Sequence, residues 1–151
     1  MSAIDLIVIA GSPGSGKSTL CGVLQTLLNA PYLEFSNLRQ PHLDETWSNT
    51  SPEEEDMAFE NLIFVVNNYL KHGYRPVIIT DLLDARVGKL DKSFAHLDYR
   101  IYTLFLQKEE EIRSRIAART EGFTDIDWAL AWNRQVQARP SFPNEQKIMA
   151  D

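Results

Sequence analysis

Residues 7–19 read IVIAGSPGSGKST: a short run of β-branched residues, a glycine, and a glycine-spaced turn ending in Lys-Ser-Thr. The apolar stretch 6–10 is brief and closed by Gly11, which predicts a strand buried on both faces. Gly11, Gly16, Lys17 and Ser18 match G-x-x-x-x-G-K-[ST] without a gap. Glycines in this pattern let successive backbone N–H groups point into one concavity, and the positive end of a following helix adds to it. From Lys17 the apolar positions Leu20, Val23, Leu24, Leu27 and Leu28 recur on one helical face as far as Asn29. Strand, glycine loop and helix together predict a cradle for a phosphate chain. Ser12, Pro13, Gly14, Ser15, Gly16, Lys17, Ser18 and Thr19 would line it, with Lys17 reaching the outer phosphates and the Ser18 hydroxyl holding Mg2+. A plain strand-to-helix turn has no use for Lys-Ser after the glycine.

Outward from this segment, strands and helices alternate. APYLEF (30–35) reads as a second strand running into a polar loop. At SPEEE, Ser51 is an N-cap, Pro52 fits the first helical position, and the glutamates sit in the positive first turn. Ala58, Leu62, Val66 and Tyr69 carry that helix to Gly73. Residues 76–80 form a third strand ending at Asp81, and 99–106 a fourth, with a weaker helix over 86–97 between them. Helices follow over 108–120 and, from a Thr124 N-cap, to about 138. The tail KIMAD (147–151) reads as a fifth strand lacking the helix that would cover it, so a further C-terminal helix is expected beyond it.

The alternation predicts an α/β three-layer sandwich with a parallel sheet, right-handed crossovers and helices on both faces. Ligands in such sheets bind beyond the C-terminal strand ends, where Lys17, Glu34, Asp81 and the loop after Leu106 converge.

Bulk composition narrows the function. The 151 residues, 44% hydrophobic, suit one domain over 1–151. A net charge of -6 argues against a long nucleic-acid acceptor or an anionic membrane surface. The single cysteine, Cys21, excludes an internal disulfide framework and reads as a small buried residue. The N-terminus has neither a basic n-region nor a long apolar run, so a cytoplasmic chain is expected. His42, His72 and His96 lack metal-ligand spacing.

Asp81 stands where a carboxylate would support the metal, with Asp84 as its substitute and helix capping as the competing role. Guanine recognition is missing: Gly88-Lys89-Leu90-Asp91 lacks the asparagine of N-K-x-D. Large motor or AAA+ ATPases need many more residues, sensor arginines and an interface, so the length favours a small kinase. Arg115 and Arg119 lie four apart before a hinge at Thr120-Glu121-Gly122 and would reach the transferring phosphoryl group from a lid over about 113–139. Arg113, on another face, reads as a surface residue. Trp47, Trp128 and Trp132 are candidates to stack on an acceptor, although the i,i+4 spacing of the last two favours core or lid packing.

GSPGSGKST, YLEFSNLRQ, RPVIITD and LFLQKEEEIRSRIAART together resemble small P-loop kinases of the polynucleotide 5'-hydroxyl kinase and zeta-toxin-like group, and more distantly gluconate and shikimate kinases. The resemblance implies a five-stranded parallel sheet of order 2-3-1-4-5, ATP and Mg2+ as cofactors, and transfer of the γ-phosphoryl group to a hydroxyl of a small metabolite or nucleotide-like acceptor. It also implies, after the second strand, a general-base Asp and, three residues on, an Arg that clamps the acceptor. Here Arg39 fits the clamp, but Ser36 stands at the base position, with Asn37 beside it. A serine cannot take a proton at neutral pH without activation, so Glu34, on the same side of an extended strand, is the candidate replacement. A weakly active or inactive ATP-binding regulator, or an ATPase acting on a partner, remains the alternative to a kinase.

Overall fold

In the central strand β1 (Leu6–Gly11) every residue is buried, and alternate side chains serve opposite cores. Leu6, Val8 and Ala10 pack on one face of the sheet, Ile7 and Ile9 on the other, as the period-2 geometry of a strand requires. The computed structural model describes residues 3–43 and 51–151. β1 pairs in parallel with β3 (Val77–Thr80) and β4 (Tyr99–Phe105). β2 (Tyr32–Glu34) lies outside β3, and β5 (Glu145–Met149) outside β4. The order β2-β3-β1-β4-β5 is the expected one.

Helix α1 (Lys17–Leu28) covers one face, joining Cys21 to Ile7, Ile9 and Ile78. Helix α2 (Pro52–Lys71) covers the other through Ala58, Leu62 and Val66. The Ser51 hydroxyl accepts the Glu54 N–H, and Pro52 opens the helix, so the N-terminus forms as read from sequence. On α1 the match is partial. Only Cys21 is fully buried, Leu20 and Leu24 are half-buried, and Val23, Leu27 and Leu28 face out, because the sheet meets just one edge of the apolar stripe.

Four local expectations are corrected. The helix expected over 86–97 is two short ones, α3 (Asp84–Val87) and α4 (Leu90–Phe94), interrupted at Gly88, against which the Phe142 ring packs closely. The second strand is short because Phe35, aimed into the core, turns the chain into a 3-10 turn over Phe35–Leu38. Asp125, not Thr124, caps α6 (Ile126–Ala138): its carboxylate accepts the Trp128 N–H at 3.1 Å. The fifth strand also starts two residues before the expected 147. Trp47 lies outside the described residues.

Helix α5 (Glu109–Ala117) packs on α6 through Ile112, Ile116, Ala129 and Leu130. Asn133, fully buried, pins α6 to the end of β4: its amide accepts from Leu106 N at 3.0 Å and donates to Leu106 O at 2.8 Å. Arg139, just after α6, bridges Asp84 and Glu145 with bonds of 2.7–2.8 Å while lying 3.8 Å from the Phe142 ring. Burial would raise the Glu145 carboxyl, but the hydrogen bonds from Arg139, Thr103 and Phe142 N hold it below its ordinary range. Asp84 is thereby consumed by structure, which leaves Asp81 as the carboxylate of this loop that faces solvent.

Candidate functional site

The loop after β1 is shaped by positive backbone angles. Gly11 has φ +134°, and a Cβ there would stand 2.6 Å from the Leu104 carbonyl oxygen, so only glycine fits. Gly14 and Gly16 also adopt positive φ, at +80° and +99°. The hydroxyls of Ser12 and Ser15 are buried and have no hydrogen-bond partner. Lys17 folds back across the loop, donating to the carbonyls of Gly11 and Ser12, each at 2.8 Å. Burial pulls the Lys17 ammonium down to about 8, with Arg119 adding to the effect and Asp81 and Cys21 opposing it. Ser18 and Thr19 open α1 in an exposed position.

Across the loop stand the two expected arginines. Arg115 donates to the Gly14 carbonyl at 2.9 Å and to Glu111 at 3.2 Å, tying α5 to the glycine loop. Arg119, exposed one turn on, donates to the Phe123 carbonyl at 3.2 Å. Both line a cavity of about 750 Å³ together with residues 14–20, Val23, Leu104, Ile148 and Ala150. That volume lies in the range of about 300–1,000 Å³ typical of small-ligand sites. Arg113 is on the surface near Glu110, as expected.

On the other side of Lys17 lie the ends of β2 and β3. Asp81, with φ +76°, accepts the Ser36 N–H at 3.1 Å, so a carboxylate does stand beside position 36, delivered by the neighbouring strand. Glu34 accepts the Tyr32 hydroxyl at 2.7 Å. Burial, followed by this bond, pushes the Tyr32 phenol up. Arg39 is engaged: Nε donates to Glu55 at 3.0 Å, a second nitrogen bonds the same carboxylate, and the guanidinium sits 5.7 Å from the Phe35 ring. Glu54 accepts the Gln40 N–H at 2.5 Å.

Trp132 joins the site from α6. Its ring lies 5.9 Å from Lys17 Nζ, its Nε1 is buried without a partner, and Trp128 meets it edge-on at 5.1 Å. Phe123 extends this aromatic row at 4.8 Å from Trp128. The position of Trp132 follows from Asn133 next to it, which the sequence reading missed. The signal was present: a polar residue amid the buried series Ala129, Leu130 and Val136 calls for a specific buried partner.

The residues fit a nucleotide polyphosphate. Ser15, with its orphaned hydroxyl, Gly14 and Gly16 of the cradle, and the three cations Lys17, Arg115 and Arg119 surround one cavity, and the orphaned Ser12 hydroxyl lies in the same loop. Among the described residues no cluster of three or more His, Cys, Asp or Glu would hold a metal ion alone. Mg2+ here would therefore be shared between protein oxygens and phosphates, as that ion prefers. Among the described residues no helix is long and apolar enough to cross a membrane.

A family model described as "AAA domain" matches residues 7–138. No curated protein sequence matches the chain. Among solved structures, a sugar kinase from Janibacter sp. HTCC2649 aligns with TM-score 0.68 and 19% identity, covering 97% of this chain and 84% of that one. A gluconokinase from Sinorhizobium meliloti 1021 aligns with TM-score 0.68 and 16% identity, covering 99% and 85%. A shikimate kinase from Bacteroides thetaiotaomicron aligns with TM-score 0.63 and 14% identity, covering 98% and 88%. At these identities the likeness is one of fold.

Proposed function

The chain belongs to the AAA-domain family, and from its site we propose that it is an ATP-dependent phosphotransferase moving the γ-phosphoryl group to a hydroxyl of a small acceptor. One observation carries this reading. The glycine cradle with Lys17 and the arginines Arg115 and Arg119 face each other across the large cavity, while Glu34 and Asp81 close the adjacent strand ends.

The backbone N–H groups of the loop and Lys17 hold the phosphate chain, which requires Lys17 to release the Gly11 and Ser12 carbonyls. Ser18 and Asp81 hold Mg2+, which when bound neutralises charge on the phosphates. Arg115, pinned to Gly14, fixes the loop, and Arg119 covers the transferring group and excludes water. The acceptor oxygen forms a bond to the γ-phosphorus as the bond to the bridging oxygen breaks, its electrons leaving on ADP. The hydroxyl proton passes to Glu34, whose second carboxylate oxygen is not the one bound by Tyr32. Ser36 and Arg39 border the acceptor. Among P-loop kinases, the four motifs favour the polynucleotide-kinase and zeta-toxin-like branch, and the net charge favours a small acceptor.

A second reading has its own observation. Serine at 36 and an Arg39 already paired to Glu55 suit an ATP-binding regulator that has lost transfer. Incubation with Mg-ATP and pooled small alcohols separates the two. The phosphotransferase yields a new phosphorylated mass that is lost in Lys17→Ala, whereas the regulator is stabilised by Mg-ATP and yields none.

A further inference from the structure

Helix α2 has two flanks, and the fold uses one of them. On the used flank Asp56 pairs with Arg86 of α3, and Asn67 meets His96 just after α4. The other flank carries Met57, Asn61, Phe64 and Asn68, whose 4-3-4 spacing is that of the seam between two paired helices. Phe64 is 74% exposed and Met57 41%. Beside Phe64 an open groove of about 550 Å³ runs along Val65, Asn68 and Tyr69. Tyr74, 54% exposed, meets the Tyr69 ring edge-on and continues the apolar surface past the helix end. A contiguous apolar patch of this kind is a mark of an interaction surface. The other exposed apolar face, on α1, runs into the large cavity through Leu20 and Val23 and belongs to the site already described.

Three features of the α2 flank fit a second copy of the same chain. First, it holds a protruding ring and, directly beside it, a groove, so the surface is complementary to itself under a two-fold rotation. Second, the strip formed by Met57, Asn61, Phe64, Val65 and Asn68 bears no charge, so two chains of net charge -6 meet there without local repulsion. Third, the rim is charge-complementary. Glu60 and Lys71 are exposed, and among the described residues neither has an ion-pair partner within the chain. Antiparallel pairing of two α2 helices sets Glu60 of each copy against Lys71 of the other.

We propose that this flank of α2 is the interface of a reversible two-fold homodimer, the two helices packing antiparallel about an axis near Val66. Phe64 of each copy enters the groove of the other beside Asn68, Met57 meets Tyr74, and Glu60 pairs with Lys71 at both ends. One helix face buries less surface than a permanent dimer requires, so the association is weak, with a Kd of about 10–100 µM. The dimer does not depend on the phosphotransferase reading.

Sedimentation velocity of the whole chain over about 1–200 µM is expected to show a monomer–dimer equilibrium. Phe64→Glu is expected to weaken it at least about 100-fold, whereas Leu27→Glu, on the exposed face of α1, leaves it unchanged. Lys71→Glu is expected to weaken it about fivefold, and adding Glu60→Lys to that variant restores most of the loss. A wild type that stays monomeric throughout, a dimer indifferent to Phe64→Glu, or one weakened as much by Leu27→Glu overturns the proposal. So does a charge-exchanged double variant that dimerises no better than Lys71→Glu alone. The charge exchange decides the matter even if Phe64→Glu fails to fold.

Discussion

The Asp81 carboxylate accepts a hydrogen bond from the backbone N–H of Ser36 at 3.1 Å, joining the C-terminal ends of β3 and β2 across the sheet edge. The site therefore has two carboxylates, Asp81 and Glu34, where the resemblance calls for one at position 36. They are tethered separately, Asp81 by Ser36 N and Glu34 by the Tyr32 hydroxyl, and the proposed function gives them separate work.

The two should fail differently. Glu34→Gln is expected to lower kcat by about 10²-fold with little change in the Mg2+ concentration required, as for loss of a general base. Asp81→Asn is expected to raise the Mg2+ requirement. Steady-state kinetics over a Mg2+ titration check both, and normal turnover in Glu34→Gln would remove Glu34 from the proton step.

Lys17 ties nucleotide binding to pH. Its folded value, about 8, lies below the ordinary 10.5, so near pH 8 part of the ligand-free population is neutral at this position. Phosphates favour the charged form, so Mg-ATP binding near pH 8 should take up a proton and weaken as pH rises. Calorimetry in buffers of different ionisation enthalpy measures this uptake, which should vanish in Lys17→Met. The sign for stability is the reverse of the usual lysine case. Because the unfolded chain holds more protons between pH 8 and 10.5, the ligand-free fold gains stability from this group across that interval.

Arg115 and Arg119 should also separate. Arg119→Ala is expected to cut kcat by about 10²–10³-fold while nucleotide affinity changes little, since the proposed function has it act in the transition state. Arg115→Ala removes the bond to Gly14 and should chiefly weaken nucleotide binding. Binding and turnover measured on both variants check the division.

Asn133 pins α6 to the end of β4. Replacing it with leucine leaves the Leu106 N–H buried without its partner, at a cost of roughly 1–3 kcal/mol, while the Leu106 carbonyl keeps the Gln137 amide at 3.3 Å. Chemical denaturation should show this loss.

The sheet order was legible because each buried strand is a short branched run and each crossover a periodic helix; even the Ser51 cap and Pro52 formed as read. The phosphate loop was legible because its glycines answer to backbone angles that few other residues adopt. What escaped the sequence was contact between distant residues. Nothing local says that Arg39 will find Glu55, that Asp84 will be taken by Arg139, or that Asn133 will hold Leu106 and so bring Trp132 to Lys17. The α1 stripe shows the converse: helical spacing reported an apolar face correctly but not how much of it the sheet would cover.

The central claim, γ-phosphoryl transfer to an alcohol, is tested most directly by supplying Mg-ATP labelled at the γ-phosphate together with pooled small alcohols. The account predicts label on an organic product in the wild type and none in Lys17→Ala. Mg-ATP bound by the wild type with no label transferred, or equal transfer by the Lys17 variant, would contradict it.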